Sequence, residues 1–233
     1  MSSETTKTFF SCFKKRPGIS GTLACLPSVA RPCRAAKVTS VKTIRFFMKQ
    51  AAKLVKDDPK VKVLHLLRDP RGTLRSQASV AEFKWNDLNN ASRLFCDRVY
   101  RDLQEAERLK TLFPGRVLTA RYEDLATDPM AFAEKLLTFA GLTFSPKLRD
   151  YVWKITSSGL SDGGARSTVR NNSQATANSW RKKVAFSDSS VIDTNCLEVY
   201  KRTGYLAFPM EVFLKNLTFP SFVDHKRVPG LWT

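Results

Sequence analysis

The sequence is short of acid where it begins: no Asp or Glu occurs between Glu4 and Asp57. It has only 2 histidines and no CxxC pair among its 5 cysteines. The ligand spacings of a zinc site are therefore missing, and no metal is expected. No run approaches the ~18–20 apolar residues of a membrane-spanning helix; the best early stretch, Gly18 to Ala30, is broken by Pro27. The chain shows no clear targeting segment, no internal repeat, and no G-x-x-x-x-G-K-[ST] loop of the kind a nucleotide kinase needs.

What is present is a core and a surplus of positive charge. The 233 residues are 42% hydrophobic with 16 Phe and 4 Trp, which suffices for one packed domain and excludes wholesale disorder. Lys and Arg number 39 against 21 Asp and Glu, a net charge of +18, so the partner is expected to be an anion. A nucleic-acid module fits poorly, because the arginines cluster at one turn without the interleaved aromatics of a stacking surface. Sequons at Asn90, Asn171 and Asn216 mildly favour a secretory compartment.

Along the chain, residues 1–35 mix Gly, Pro, Ser, Cys and Lys without periodicity and read as an irregular basic segment. Val41, Ile44, Phe47, Met48, Ala51, Ala52 and Val55 follow helical spacing up to Lys56. Val61 to Leu67 is short, β-branched at its start and almost wholly apolar, as a parallel strand covered on both faces should be. Pro70 opens a helix; Ala91 to Leu112 is a second; Arg116 to Arg121 is a second strand. Thr127 is expected to cap a helix from Pro129 to Ala140, closed by Gly141. Pro146 to Ser157 reads as helix, residues 158–180 as a polar loop, and Ser187 to Thr203 as a last helix before Gly204. Strands alternating with helices specify an α/β fold with a parallel sheet.

The chemistry concentrates in Arg68-Asp69-Pro70-Arg71-Gly72-Thr73-Leu74-Arg75-Ser76. This stretch leaves the carboxyl end of a strand and turns directly into a helix, the edge where open α/β sheets bind ligands. A helix start offers free N–H groups, and Arg68, Arg71 and Arg75 add cations to it, so phosphate is the expected guest. Ser76 lies about two helical turns along, where its hydroxyl can share an anion with Arg68.

This block resembles the 3′-phosphate-binding motif of sulfotransferases, and Leu67 to Arg71 followed by Arg75-Ser76 resembles in particular the Golgi carbohydrate 6-O-sulfotransferases. Further segments fall in that family's order: Ala36-Lys37-Val38, Phe95-Cys96 through Val117, Arg121 to Leu125 with Asp128-Pro129, Ser179-Trp180-Arg181, and the helix holding Cys196. The resemblance implies a P-loop-like sulfotransferase fold, a central parallel sheet flanked by helices, with residues 36–208 as the sulfotransferase domain and 209–233 as a C-terminal extension. It implies 3′-phosphoadenosine 5′-phosphosulfate (PAPS) as sulfuryl donor and a glycan or glycosaminoglycan 6-hydroxyl as acceptor. Golgi location, a type II membrane-anchored parent and a disulfide between Cys96 and Cys196 follow from the same likeness. So does a cofactor-binding set of Arg68, Asp69, Pro70, Arg71, Gly72, Thr73, Arg75 and Ser76, with Tyr122 toward the adenine. Arg166, Arg170, Arg181, Lys182 and Lys183 resemble the late basic loop. Glu123 and Asp124 are expected to orient arginines, and Trp180 to lie in the core.

The sequence departs from the family at the first cofactor loop, an Arg, a Ser or Thr, then Gly-Ser-Ser between strand and helix. Arg16-Pro17-Gly18-Ile19-Ser20 shares only part of its spacing. The expectation is a chain cut short at its N-terminal side that holds the 3′-phosphate and transfers little sulfuryl group. The alternative is a non-catalytic anion-binding protein that keeps that half-site alone. No catalytic base stands out, since His65 lies within a strand.

Overall fold

The computed structural model describes residues 4–44, 46–157, 159 and 169–233. The chain divides into two compact units, Met1–Arg45 and Phe46–Thr233. Among the described residues no helix is long and apolar enough to cross a membrane.

The first unit holds α1 (Glu4–Lys15), α2 (Ile19–Cys25) and α3 (Pro27–Ala35), where composition led us to expect irregular chain. The reason is local. Phe9 and Phe13, one turn apart, stack at 6.1 Å, Gly18 turns the chain at φ 95°, and a Cys12–Cys25 disulfide ties α1 to α2. Pro27 stands in the first turn of α3, where its missing N–H costs nothing; it starts a helix rather than interrupting one.

The second unit runs α4 (Met48–Asp57), β1 (Val63–Leu67), α5 (Pro70–Ser79), α6 (Leu88–Leu112), β2 (Val117–Arg121) and α7 (Tyr122–Thr127). It continues through α8 (Pro129–Phe139), α9 (Pro146–Thr156), α10 (Ser173–Asn178), α11 (Phe186–Asn195), α12 (Leu197–Thr203) and α13 (Glu211–Lys215). Three of these helices start alike, with an acceptor side chain followed by proline. Asp69 accepts from Arg71 N–H at 2.9 Å, Asp128 from Ala131 N–H at 3.1 Å, and Ser145 from Leu148 N–H at 3.4 Å. Each cap satisfies one donor that the helix leaves unpaired. The cap of α8 is thus Asp128, not Thr127, whose hydroxyl bonds back to Glu123.

The helix expected from Val41 begins only at Met48. Val41 and Ile44 lie outside it, 83% and 73% exposed. Asp102 and Gln50 accept the N–H groups of Met48 and Phe47 at 2.9 Å and so fix the start. Part of the expected loop before Trp180 is the helix α10. The expected last helix is two, α11 and α12, with Cys196 between them.

β1 and β2 pair in parallel, Val63 opposite Val117 through Leu67 opposite Arg121, joined by the crossover through α5 and α6. Every residue of β2 is buried, and its far side meets the C-terminal segment, where Trp232 N–H donates to Thr119 at 2.8 Å. β1 is not covered on both faces as expected: Leu64 and Leu66 are 44% and 53% exposed. β2 is its only strand partner among the described residues. The α6 axis organises the core, and the Cys96–Cys196 disulfide, with Cα atoms 5.2 Å apart, pins it to the α11–α12 junction.

Candidate anion-binding site

The register that sets Leu67 opposite Arg121 brings both strands to an end at one level, so the next residues, Arg68 and Tyr122, leave the sheet side by side. The Arg68 guanidinium lies 5.1 Å from the Tyr122 ring centroid, within cation–π range. Arg68 Nε is buried with no hydrogen-bond partner, and so is Thr73 Oγ1. A buried donor left unpaired is costly, and two of them flank this turn. Ser76 is exposed on α5, three residues beyond Thr73 and hence on the same side of the helix. Arg75 lies 5.6 Å from the Trp85 ring.

The other members of the expected set build the turn instead of facing outward. Asp69 is buried, caps α5, and holds Arg71 Nε and Nη2 at 3.0 and 2.8 Å. Arg71 Nη1 reaches Asp193 at 3.2 Å and the Leu206 carbonyl at 2.9 Å, inside a cage of Trp180, Tyr200 and Phe208 rings at 4.5 to 5.2 Å. Burial works against its charge, but Asp69, Tyr200 and Asp193 outweigh that and keep Arg71 above the ordinary arginine range. Arg71 is therefore a structural cation. Arg181, also buried, gives its donors to the carbonyls of Phe213, Leu214, Asn216 and Phe219 at 2.7 to 2.9 Å and clamps the α13 segment. Arg170 donates to the Val169 carbonyl; Arg166 lies outside the described residues. Gly72 packs against the Trp180 indole, and a Cβ there would stand 2.8 Å from an indole carbon. Trp180 is buried as expected.

The start of α5 is less open than its sequence implies. Pro70 has no N–H, Arg71 N–H is taken by Asp69, and Asp69 N–H by Glu123 Oε1 at 2.9 Å. Thr73 N–H is taken by the Asp69 carbonyl at 2.9 Å, so the donors left for an anion are the Gly72 N–H and side chains, Arg68 and Thr73 foremost. Asp124 pairs with Arg121 at 2.6 Å, as expected of an acid that orients an arginine. Glu123 does not: its other oxygen accepts from Tyr205 OH at 2.7 Å. Burial, then the charge of Asp69, raises the Glu123 carboxyl to about 7. Sequence reasoning missed Tyr205, Asp193 and Tyr200, whose partners Glu123 and Arg71 lie far along the chain; Glu123 alone carried a signal, an acid two residues after a buried strand.

The profile of the sulfotransferase family matches residues 4–146. The chain belongs to the sulfotransferase family. The match takes in β1, α5 and β2, and it begins inside the segment that composition set apart. The α/β architecture with its parallel strand pair agrees with the sulfotransferase fold. Human carbohydrate sulfotransferase 6 is 29% identical over 232 residues, 87% of this chain and 58% of that protein. Human carbohydrate sulfotransferase 5 is 30% identical over 200 residues, covering 76% and 49%. Carbohydrate sulfotransferase 1 of Danio rerio is 27% identical over 240 residues, covering 94% and 55%. This sulfotransferase chain thus spans about half the length of the curated relatives it matches. No solved structure matches it.

Proposed function

We propose that this chain serves sulfuryl transfer from PAPS to a carbohydrate 6-hydroxyl, and that its own share is to hold the 3′-phosphate of the donor. The observation that carries the reading is the pair of buried, unpartnered donors, Arg68 Nε and Thr73 Oγ1, at the carboxyl end of β1. A phosphate oxygen supplies the acceptor both lack, and the Arg68 charge adds the Coulombic part. Ser76 completes the set from the exposed side of α5, and Tyr122 offers a ring beside it for the adenine. Bound PAPS brings the phosphosulfate that reacts; the residues named here bind and orient its other end.

The acceptor is proposed to be a glycan or glycosaminoglycan, in keeping with the +18 charge and the carbohydrate sulfotransferases among the relatives. The setting is proposed to be the Golgi lumen, an oxidising compartment suited to the two disulfides. The stretch that would hold the phosphosulfate is not among the recognisable motifs of this sequence, so binding is the assay that reads this chain directly.

Calorimetry with adenosine 3′,5′-bisphosphate tests the assignment. Arg68→Ala is expected to cost about 2–5 kcal/mol of binding, as when one partner of a desolvated charge pair is removed, and Ser76→Ala less. Unchanged affinity in both variants would overturn it.

A further inference from the structure

The Arg68–Asp69 peptide is held from below by a single side chain. Its N–H, carried by Asp69, donates to Glu123 Oε1 at 2.9 Å, and Glu123 Oε2 accepts from Tyr205 OH at 2.7 Å. All three residues are buried. Glu123 therefore stands between two segments far apart in sequence, the turn that carries Arg68 and the stretch after α12. Tyr205 is itself anchored: Gly204 leaves α12 at φ 73°, Tyr205 bridges Phe222, and the Arg121 guanidinium lies 5.6 Å from its ring.

We propose that Glu123 is the positioning residue of the anion site, fixing the direction in which Arg68 leaves β1 and coupling that turn to Tyr205. The inference rests on the 3′-phosphate reading and deepens it. The Arg68–Asp69 peptide sets the backbone path of the turn that leaves β1 at Arg68, and without Glu123 its N–H is a buried orphan, so the turn shifts to find another acceptor and Arg68 shifts with it. Glu123 does not touch the anion; it acts through Arg68.

A second property follows from the same geometry. The groups facing Glu123 are Asp69 from the β1–α5 turn and Tyr205 from the C-terminal stretch; Arg71 lies behind Asp69 and Arg121 behind Tyr205. No cation bonds the carboxylate directly, and burial with the Asp69 charge brings it to about 7. A phosphate arriving one residue away adds negative charge and favours the neutral acid further. Binding near neutral pH then takes a proton onto Glu123, beyond any proton taken by the phosphate itself.

Calorimetry with adenosine 3′,5′-bisphosphate in two buffers of different ionisation enthalpy at pH 7 tests this on the full chain. Glu123→Ala is expected to weaken binding by about tenfold or more, the worth of one hydrogen bond to a charged group. Glu123→Gln keeps an acceptor for Asp69 N–H; it should restore most of the affinity yet lose the extra proton uptake. Tyr205→Phe, which leaves the fold's volume intact, should fall between. If Arg68→Ala and Ser76→Ala both leave affinity unchanged, the anion site itself is wrong. Should Arg68→Ala abolish binding while a folded Glu123→Ala binds as wild type, the positioning role fails and the anion site stands; should Glu123→Gln take up as many protons as wild type, the proton is not taken by Glu123.

Discussion

Asp69 grips Arg71 with both carboxylate oxygens, at 3.0 Å to Nε and 2.8 Å to Nη2, while its neighbour Arg68 keeps a buried Nε with no partner. Two arginines three positions apart thus do opposite work: one is consumed by the fold and the other is left to a ligand. Arg71→Ala should cost about 3–5 kcal/mol of stability, the usual penalty for breaking a buried ion pair. Arg68→Ala should change stability by less than about 1 kcal/mol. Urea unfolding of both variants checks the contrast, and equal destabilisation would contradict it.

Arg181 should behave like Arg71. Its replacement by Ala orphans the carbonyls of Phe213, Leu214, Asn216 and Phe219, a loss of about 3 kcal/mol or more at about 1–3 for each buried polar group left unpaired. Arg181→Lys recovers little, because a single ammonium cannot span the fork. Limited proteolysis should cut Arg181→Ala after α12 well before wild type.

The disulfide that joins Cys96 to Cys196 spans 100 residues, and the one between Cys12 and Cys25 spans 13. Chain-entropy arguments assign the longer loop the larger effect, about 4–5 kcal/mol against about 3 for the shorter. Paired Cys96→Ser, Cys196→Ser substitution should therefore lower the unfolding midpoint more than the pair Cys12→Ser, Cys25→Ser. Non-reducing peptide mapping of secreted protein should find both linkages, with Cys33 as the free thiol.

Glu123 and His65 give stability opposite pH dependences. Glu123 titrates at about 7 in the fold against an ordinary 4.5. The folded state holds its proton longer than the unfolded state, and stability falls as pH rises from 4.5 to 7. His65 is lowered to about 4 from 6.5 by burial, then by the charge of Lys110. Here the unfolded state takes the proton first, and stability falls as pH drops from 6.5 to 4. Glu123→Gln should flatten the upper limb, and His65→Leu, which also removes the unpartnered Nδ1, the lower. Denaturant midpoints at pH 5, 6, 7 and 8 read both signs.

Elements whose cause is local were legible in the sequence. β1, α5, α6, β2, α8 and α9 are all placed from apolar patterning and from the prolines and glycines that bound them, because pattern and boundary sit within a few residues of each other; the cap of α8 alone is read one residue early. The expected Cys96–Cys196 pair is formed. What escaped depends on distant groups. Arg71 reads as a free cation until the turn folds Asp69 onto it and Asp193 arrives from 122 positions away. Arg181 looks like a ligand-binding arginine until the α13 carbonyls close on it. The start of α4 is set by Asp102, 54 positions on. The helices of the first unit are the exception: their causes are local, the Phe9–Phe13 stack and the Cys12–Cys25 cross-link, yet no periodicity reveals them.

Gly72 and Trp180 share one wall between the anion turn and the interior, since a methyl group on residue 72 would overlap the indole at 2.8 Å. The two positions therefore cannot drift separately. A protein of this fold with a side chain at the place of Gly72 must carry something slimmer than tryptophan opposite it, or move the turn that presents Arg68. The pair is a size constraint written across more than a hundred residues of sequence, and in a set of related chains it should surface as substitutions that travel together.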